Sequence, residues 1–386
     1  MPIHVPAAEL AERRDRATAE MRRRGLDALL VFKQESLYWL TGYDTFGYVY
    51  FQVMVLDADG GMTLLTRAPD LRQARFTSVI EDVRVWVDRA GASAVDDLRA
   101  ILAERGLDRG RLGVEWHAYG LTARQGFALA DGLAGAAALE DASDLVSRLR
   151  LVKSAAELAH VRRAAELADL SWRAALDLAE PGAFEGDILA AMQGVVFRGG
   201  GDDPANETII GSGPGALMCR YFTGRRHLDP DDQLTLEFAG VYRHYHACLM
   251  RTIRIGPPPP EQQAMHDAAE EALLAAEAAL KPGRPLGDVF DAHARVLDGH
   301  GYAAHRMNAC GYSLGATYAP NWMDFAEASM FFTGNPTVAE ANMVFFIHII
   351  LFDSDRGLAA TLGRTVRVAE AGCEPLSRAP LDLPTR

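Results

Sequence analysis

The chain has 386 residues, 49% of them apolar and 24% charged, the range of an ordinary globular protein that buries its own core without disulfide staples. Its net charge of −13 argues against nucleic acid and anionic membranes as partners, because both select basic faces. Cys219, Cys248, Cys310 and Cys373 form no Cys-x-x-Cys pair, so neither a zinc site nor a disulfide framework is expected, and a cytoplasmic location is the simplest expectation.

The first residues lack the apolar core of a signal peptide. No apolar run approaches the ~18 residues that span a bilayer. Residues 9–24 predict a charged amphipathic helix, 26–32 a buried strand, and 36–43 a turn into a helix or loop. Segments 48–56 and 62–65 alternate as strands about a turn at 57–61. A strand over 83–87, a helix over 95–106 and a strand over 111–114 continue the alternation. The pattern predicts a small α/β domain over residues 1–145. Tyr43, Phe46, Tyr48 and Phe51 form an aromatic cluster there, for which core packing is the commoner role.

The second domain is expected over residues 146–386. Ser154-Ala-Ala-Glu157 reads as a capping box that opens a long helix, and Val161, Ala164, Ala165, Ala168, Trp172 and Leu176 recur at helical spacing. Pro181-Gly182 stops it. The run Pro181-Gly182-Ala-Phe-Glu-Gly186-Asp187-Ile188 recurs as Pro282-Gly283-Arg-Pro-Leu-Gly287-Asp288-Val289, each after an Ala-rich helix (about 157–179 and 261–281). Arg251-Thr-Ile-Arg-Ile255 recurs as Arg364-Thr-Val-Arg-Val368. Two signatures kept in order predict an internal duplication, hence a pseudo-twofold sheet with helices outside and a small-molecule cleft between the halves. Gly199-Gly-Gly-Asp-Asp-Pro204 is not followed by Lys-Ser/Thr, so it reads as a turn, not a phosphate loop.

This order, with the run Leu149-Arg-Leu-Val-Lys153-Ser154-Ala-Ala-Glu157, resembles the creatinase/prolidase/aminopeptidase P family of "pita-bread" hydrolases. The resemblance implies an α/β N-terminal creatinase-like domain, an α+β duplicated pita-bread catalytic domain and a homodimer. In the family's peptidases two aspartates, a histidine and two glutamates hold two metal ions. Those positions fall here on Glu237, Cys248, Tyr312, His348 and at or next to Gly363. Bridging carboxylates are gone. A mononuclear site from Glu237, Cys248 and His348 is the metal-binding alternative. The runs Glu237-Phe-Ala-Gly240-Val-Tyr242-Arg-His-Tyr245-His246, Gly311-Tyr312-Ser-Leu-Gly315 and Tyr318-Ala-Pro320-Asn-Trp322 look closest to the metal-independent members, ectoine hydrolase and creatinase. Where those members place a substrate-contacting histidine, this chain has Arg220, which cannot serve as a base near neutral pH but can clamp a carboxylate.

Glu237 sits in an otherwise apolar strand, so it is either nucleophile or general base, or half of a buried salt bridge with Arg251 or Arg364. His246 and Cys248 are two apart on a strand and share a face. His246 is the expected proton donor to a departing nitrogen, against a core histidine. Cys248 is a substrate contact or a Cys–His nucleophile, against a small core residue. His348 and Tyr312 are catalytic and substrate-binding candidates, against filler for a lost metal site. Arg220, against an ordinary surface arginine near Arg225 and Arg226, and Tyr245 and Tyr318 complete the expected substrate contacts. The expectation is a metal-independent hydrolase of a C–N bond in a small carboxylate-bearing compound, with no metal or other cofactor. The alternatives are an Xaa-Pro peptidase and a catalytically inactive binding protein.

Overall fold

The computed structural model describes residues 3–220 and 224–386. The chain divides into two compact units, Met1–Arg150 and Leu151–Arg386, rather than near residue 145. The reason is helix α6 (Leu145–Leu151), whose Leu145 and Val146 are buried in the first unit's core.

The first unit runs α1 (Ala7–Arg24), β1 (Ala28–Val31), α2 (Gln34–Thr41), β2 (Val53–Asp57), β3 (Met62–Arg67), α3 (Ala68–Thr77), β4 (Asp82–Trp86), α4 (Ala94–Glu104), β5 (Arg111–Val114), α5 (Ala123–Leu133), β6 (Ala138–Asp141) and α6 (Leu145–Leu151). Its six strands order as β4-β3-β2-β1-β5-β6, the expected α/β layer. The strand expected over 48–56 begins only at Val53. Before it the Thr45 hydroxyl accepts from the Gly47 N–H and donates to Asp70, and Gly47–Val49 makes a short 3-10 turn. Tyr43, Tyr48 and Phe51 are core residues, but Phe46 is 77% exposed.

The second unit repeats one pattern twice. Helices α7 (Ala155–Leu178) and α8 (Glu185–Arg198) precede β7 (Ile209–Ser212), β8 (Asp232–Tyr242) and β9 (Tyr245–Ile255). Helices α9 (Pro260–Ala279) and α10 (Gly287–Gly299) precede β10 (Gly311–Ser313), the short α11 (Ala326–Ser329), β11 (Val344–Asp353) and β12 (Leu358–Ala369), with β13 (Gly372–Pro375) appended. The sheet order β10-β11-β12-β9-β8-β7 is palindromic in the two halves. The halves meet where β9 and β12 pair, Arg251 opposite Leu362 and Arg364 opposite Leu249. The repeated Arg-Thr signatures therefore mark the seam. Each half packs its helices on its own core, one behind β8 and β9, the other behind β11 and β12. The Ser154 capping box forms as expected: Ser154 Oγ accepts from the Glu157 N–H, and Glu157 returns the bond to the Ser154 N–H at 2.9 Å.

Candidate active site

Strand alternation decides which side chains share a face. Glu237 stands opposite Met250, Ala239 opposite Cys248 and Val241 opposite His246. Met250 stands opposite Gly363, and Gly363 opposite His348. Glu237, Met250, Gly363 and His348 thus form one row across the sheet, on the face away from the helices. Tyr312, opposite Phe346, shares that face. The four expected side chains Glu237, Cys248, Tyr312 and His348 are all brought to it, with Gly363 in their midst.

The sheet is strongly concave there. Glu237 on β8 and Tyr312 on β10 are four strand spacings apart, about 19 Å in a flat sheet. Yet the Tyr312 hydroxyl donates to Glu237 Oε1 at 3.3 Å. The Tyr312 oxygen in turn accepts from the Trp322 indole N–H at 2.7 Å.

Neither salt bridge proposed for Glu237 exists. Arg364 is bound by Glu277 through two contacts of 2.6 and 2.7 Å on the helix side. Arg251 is buried on that side too, over Trp172, with one guanidinium nitrogen donating to the carbonyls of Met250 and Gly363. Burial pushes the Glu237 carboxyl up to about 7, against the opposing pull of the Tyr312 hydrogen bond and the Arg220 charge. Arg220 is an exposed residue whose guanidinium is felt at the carboxylate. The thiol of its neighbour Cys219 is pushed up first by burial and then by Glu237. The buried Cys248 thiol is raised well above its ordinary value by burial and by Glu237, which suits a neutral lining group and not a thiolate nucleophile.

The two histidines differ from expectation. His246 Nε2 accepts from the Ala205 N–H at 2.9 Å, and Nδ1 lies 2.8 Å from the His244 carbonyl. Arg243 and His244 both take positive φ, 55° and 63°, the two-residue hairpin turn that fits strand twist, and this sets the carbonyl. With both nitrogens engaged, His246 is a fully buried structural residue, and desolvation lowers it to about 3. As a neutral ring it keeps one N–H, and the two contacts place that hydrogen on Nδ1, toward the His244 carbonyl. His348 keeps more freedom: its Nδ1 has no hydrogen-bond partner among the described residues, and its ring lies 5.5 Å from Tyr312 and 5.3 Å from Phe346. Burial lowers it to about 3 as well, so it is a neutral imidazole.

Tyr245 also departs from expectation. It points to the helix side, where its hydroxyl donates to Glu157 at 2.9 Å and anchors the hairpin to α7. Tyr318 is buried and stacks on His244 at 4.2 Å. Trp322 and Cys219 were not singled out from sequence. Trp322 lies in a run that the resemblance picked out, but its role depends on the loop's return to Ser313, where the Asp324 N–H donates to the Ser313 carbonyl at 2.9 Å.

Residues 159–370 match the profile of metallopeptidase family M24. The chain belongs to that family. Residues 13–152 match the creatinase/prolidase N-terminal domain, so the two-domain pita-bread architecture is that of M24. The ectoine hydrolase of Halomonas elongata is 28% identical over 97% of this chain and 96% of its own length. The Xaa-Pro dipeptidase of Pyrococcus furiosus is 23% identical over 62% and 67%. A prolidase from Thermococcus sibiricus superimposes with a TM-score of 0.85 at 19% identity, covering 97% of this chain and 99% of that one; at that identity the likeness speaks for the fold.

The M24 name carries a metal centre, and the donors here do not fit one. Among the described residues no group of three His, Cys, Asp or Glu side chains is arranged to hold a metal ion. The row offers a single carboxylate, and a side chain at Gly363 is blocked, because its Cβ would lie 2.7 Å from the Ile347 carbonyl and 3.0 Å from the His348 Cα. Two bridged ions need carboxylates on both sides. Among the described residues no helix is long and apolar enough to cross a membrane.

Proposed function

We propose that this M24 hydrolase cleaves a C–N bond of an amide, amidine or guanidine-type group in a small carboxylate-bearing compound, without a resident metal ion. Glu237 carries the reading. It is a buried carboxyl held at about 7, with no cation in hydrogen-bonding reach among the described residues, on the concave face that also carries the neutral imidazole of His348. A group poised near the working pH both takes and returns a proton efficiently.

Two routes use the same residues. In one, the Glu237 carboxylate attacks the electrophilic carbon, the C–N bond breaks with its electron pair passing to nitrogen, which takes a proton from a water molecule, and the hydroxide so formed cleaves the resulting ester or anhydride and returns Glu237 as the carboxylate. In the other, Glu237 takes a proton from water, the hydroxyl adds to carbon, and the same proton passes from Glu237 to the departing nitrogen. The second needs no histidine cation, which neither His246 nor His348 supplies. His348 accepts a hydrogen bond from water or substrate. Tyr312, released as Glu237 gives up its charge, donates to the developing oxygen anion. Arg220 holds the substrate carboxylate. The similarity to ectoine hydrolase supports C–N chemistry on a small polar compound. On resemblance alone the same proposal includes a homodimer.

The deciding assay is hydrolysis of ectoine, creatine, N-acyl amino acids and Xaa-Pro dipeptides before and after chelation. Activity on a member of the first three classes, unchanged by chelator, is the expected result. Dipeptide cleavage lost on chelation and restored by manganese would return the protein to the peptidases. Because ionised Glu237 starts either route, kcat/KM should rise with pH about a midpoint near 7; a midpoint near the ordinary carboxyl value would remove Glu237 from the reaction. Arg220→Gln should raise KM by roughly 10- to 100-fold with little change in kcat, the worth of charge-assisted hydrogen bonds to one carboxylate. Steady-state kinetics on the substrate and on its carboxamide, which should be insensitive to the change, provide the check.

A further inference from the structure

We propose that Trp322 is a positioning residue for Glu237, acting through Tyr312 by fixing the direction of the phenolic hydrogen. An indole N–H donates and never accepts, whereas a phenol does both. With the Trp322 N–H at 2.7 Å, the Tyr312 oxygen is the acceptor of that bond. Its own hydrogen must then go elsewhere, and among the described residues the one recipient is Glu237 Oε1 at 3.3 Å.

Trp322 is held well enough to impose this. Its side chain is buried. Its backbone N–H donates to Asn206 Oδ1 at 3.4 Å, and its carbonyl accepts from Thr317 Oγ1 at 3.3 Å. The loop is closed on itself by the Leu314–Met323 bridge, which returns the indole to the strand that carries Tyr312.

The consequence is directional. A free phenol beside a carboxyl group has two arrangements: it donates to the carboxylate, or it accepts from the carboxylic acid. The indole favours the first by occupying the accepting side of the oxygen. Trp322 thereby favours the ionised form of a carboxyl that burial pushes toward the acid. Its kinetic consequence rests on Glu237 being the reacting group, but its effect on the resting protein does not.

The test replaces Trp322 by benzothienylalanine, which keeps the ring shape and exchanges the N–H for sulfur, and separately makes Trp322→Phe. The readout is the carbon-13 shift of the Glu237 carboxyl in the resting protein as pH varies, assigned by its disappearance in Glu237→Gln. The analogue is expected to move the ionisation midpoint upward by about half a unit to one unit. Tyr312→Phe is expected to move it upward too, and the analogue in the Tyr312→Phe background should add nothing. Where substrate is turned over, the kcat/KM midpoint should move with the carboxyl midpoint. An unchanged midpoint with the analogue, or a shift that persists without the Tyr312 hydroxyl, overturns the proposal. A shifted midpoint in a protein inactive on every C–N substrate sustains this inference and sinks the proposed function alone.

Discussion

Glu237→Gln is expected to lower hydrolysis by about 10³-fold and, at neutral pH and above, to stabilise the fold. Both effects have one cause. The carboxyl is buried with no cation in hydrogen-bonding reach among the described residues, so its charged form is disfavoured in the folded chain despite the pull of Arg220, and its value there is about 7. In the unfolded chain it ionises near the ordinary value of roughly 4.3. Below the unfolded value both states hold the proton and the residue is neutral toward stability. Between the two values the folded state holds more protons than the unfolded one, so stability falls as pH rises. Above about 7 the whole penalty is present, on the order of 3 kcal/mol. Glutamine carries no such penalty and still accepts from Tyr312. Denaturant unfolding at pH 4 and pH 8 should show the variant equal to wild type at the lower pH and more stable at the higher. Equal stability at both would mean that the site does not desolvate Glu237. A structural ion pair would give the opposite result, a loss on neutralisation.

The second large effect belongs to the strand motif itself. Gly240→Ala should destabilise the second unit by about 3 kcal/mol, the upper end of what overpacking costs, with Tm lowered by roughly 6–12 °C. Gly240 faces α7, and a Cβ there would collide with the Ala164 carbonyl oxygen and the Ala168 nitrogen. Both are backbone atoms of a helix, so no rotamer change relieves the contact; the helix must withdraw from β8. Differential scanning calorimetry checks it. A Tm within 2 °C of wild type would show that α7 yields easily and that the glycine has no packing role. Gly240 in this motif thus belongs to the fold, while the chemistry we propose falls to Glu237, three residues earlier.

Local features were legible in the sequence, and features set by chain return were not. The Ser154 capping box and the Pro-Gly stops are short-range, and both appear where expected. The duplication was legible because its signatures sit at structural necessities, helix stops and the central seam. The face shared by Glu237 and Cys248 followed from alternation once the hairpin formed. His246 has the same parity and lies on the same face, yet a loop carrying Ala205 crosses it and takes its free nitrogen. Nothing in strand periodicity announces such a crossing. Tyr245 was misassigned because a retained motif was read as a set of contacts, whereas parity alone puts it on the helix side with Glu157. The pairing of Trp322 with Tyr312 depends on a ten-residue return loop and was not recoverable from either segment.

The row Glu237–Met250–Gly363–His348 has one more consequence. The repeat superimposes β8 and β9 on β11 and β12, so Glu237 and His348 occupy the same place in their respective halves. Identical residues there would give a cleft that looks the same from either end, and a substrate would lie in it in two equivalent ways. An acid facing an imidazole removes that degeneracy. Under the proposed function the concave face acquires a head and a tail, and a substrate would present its reacting carbon to one and its remaining polar end to the other.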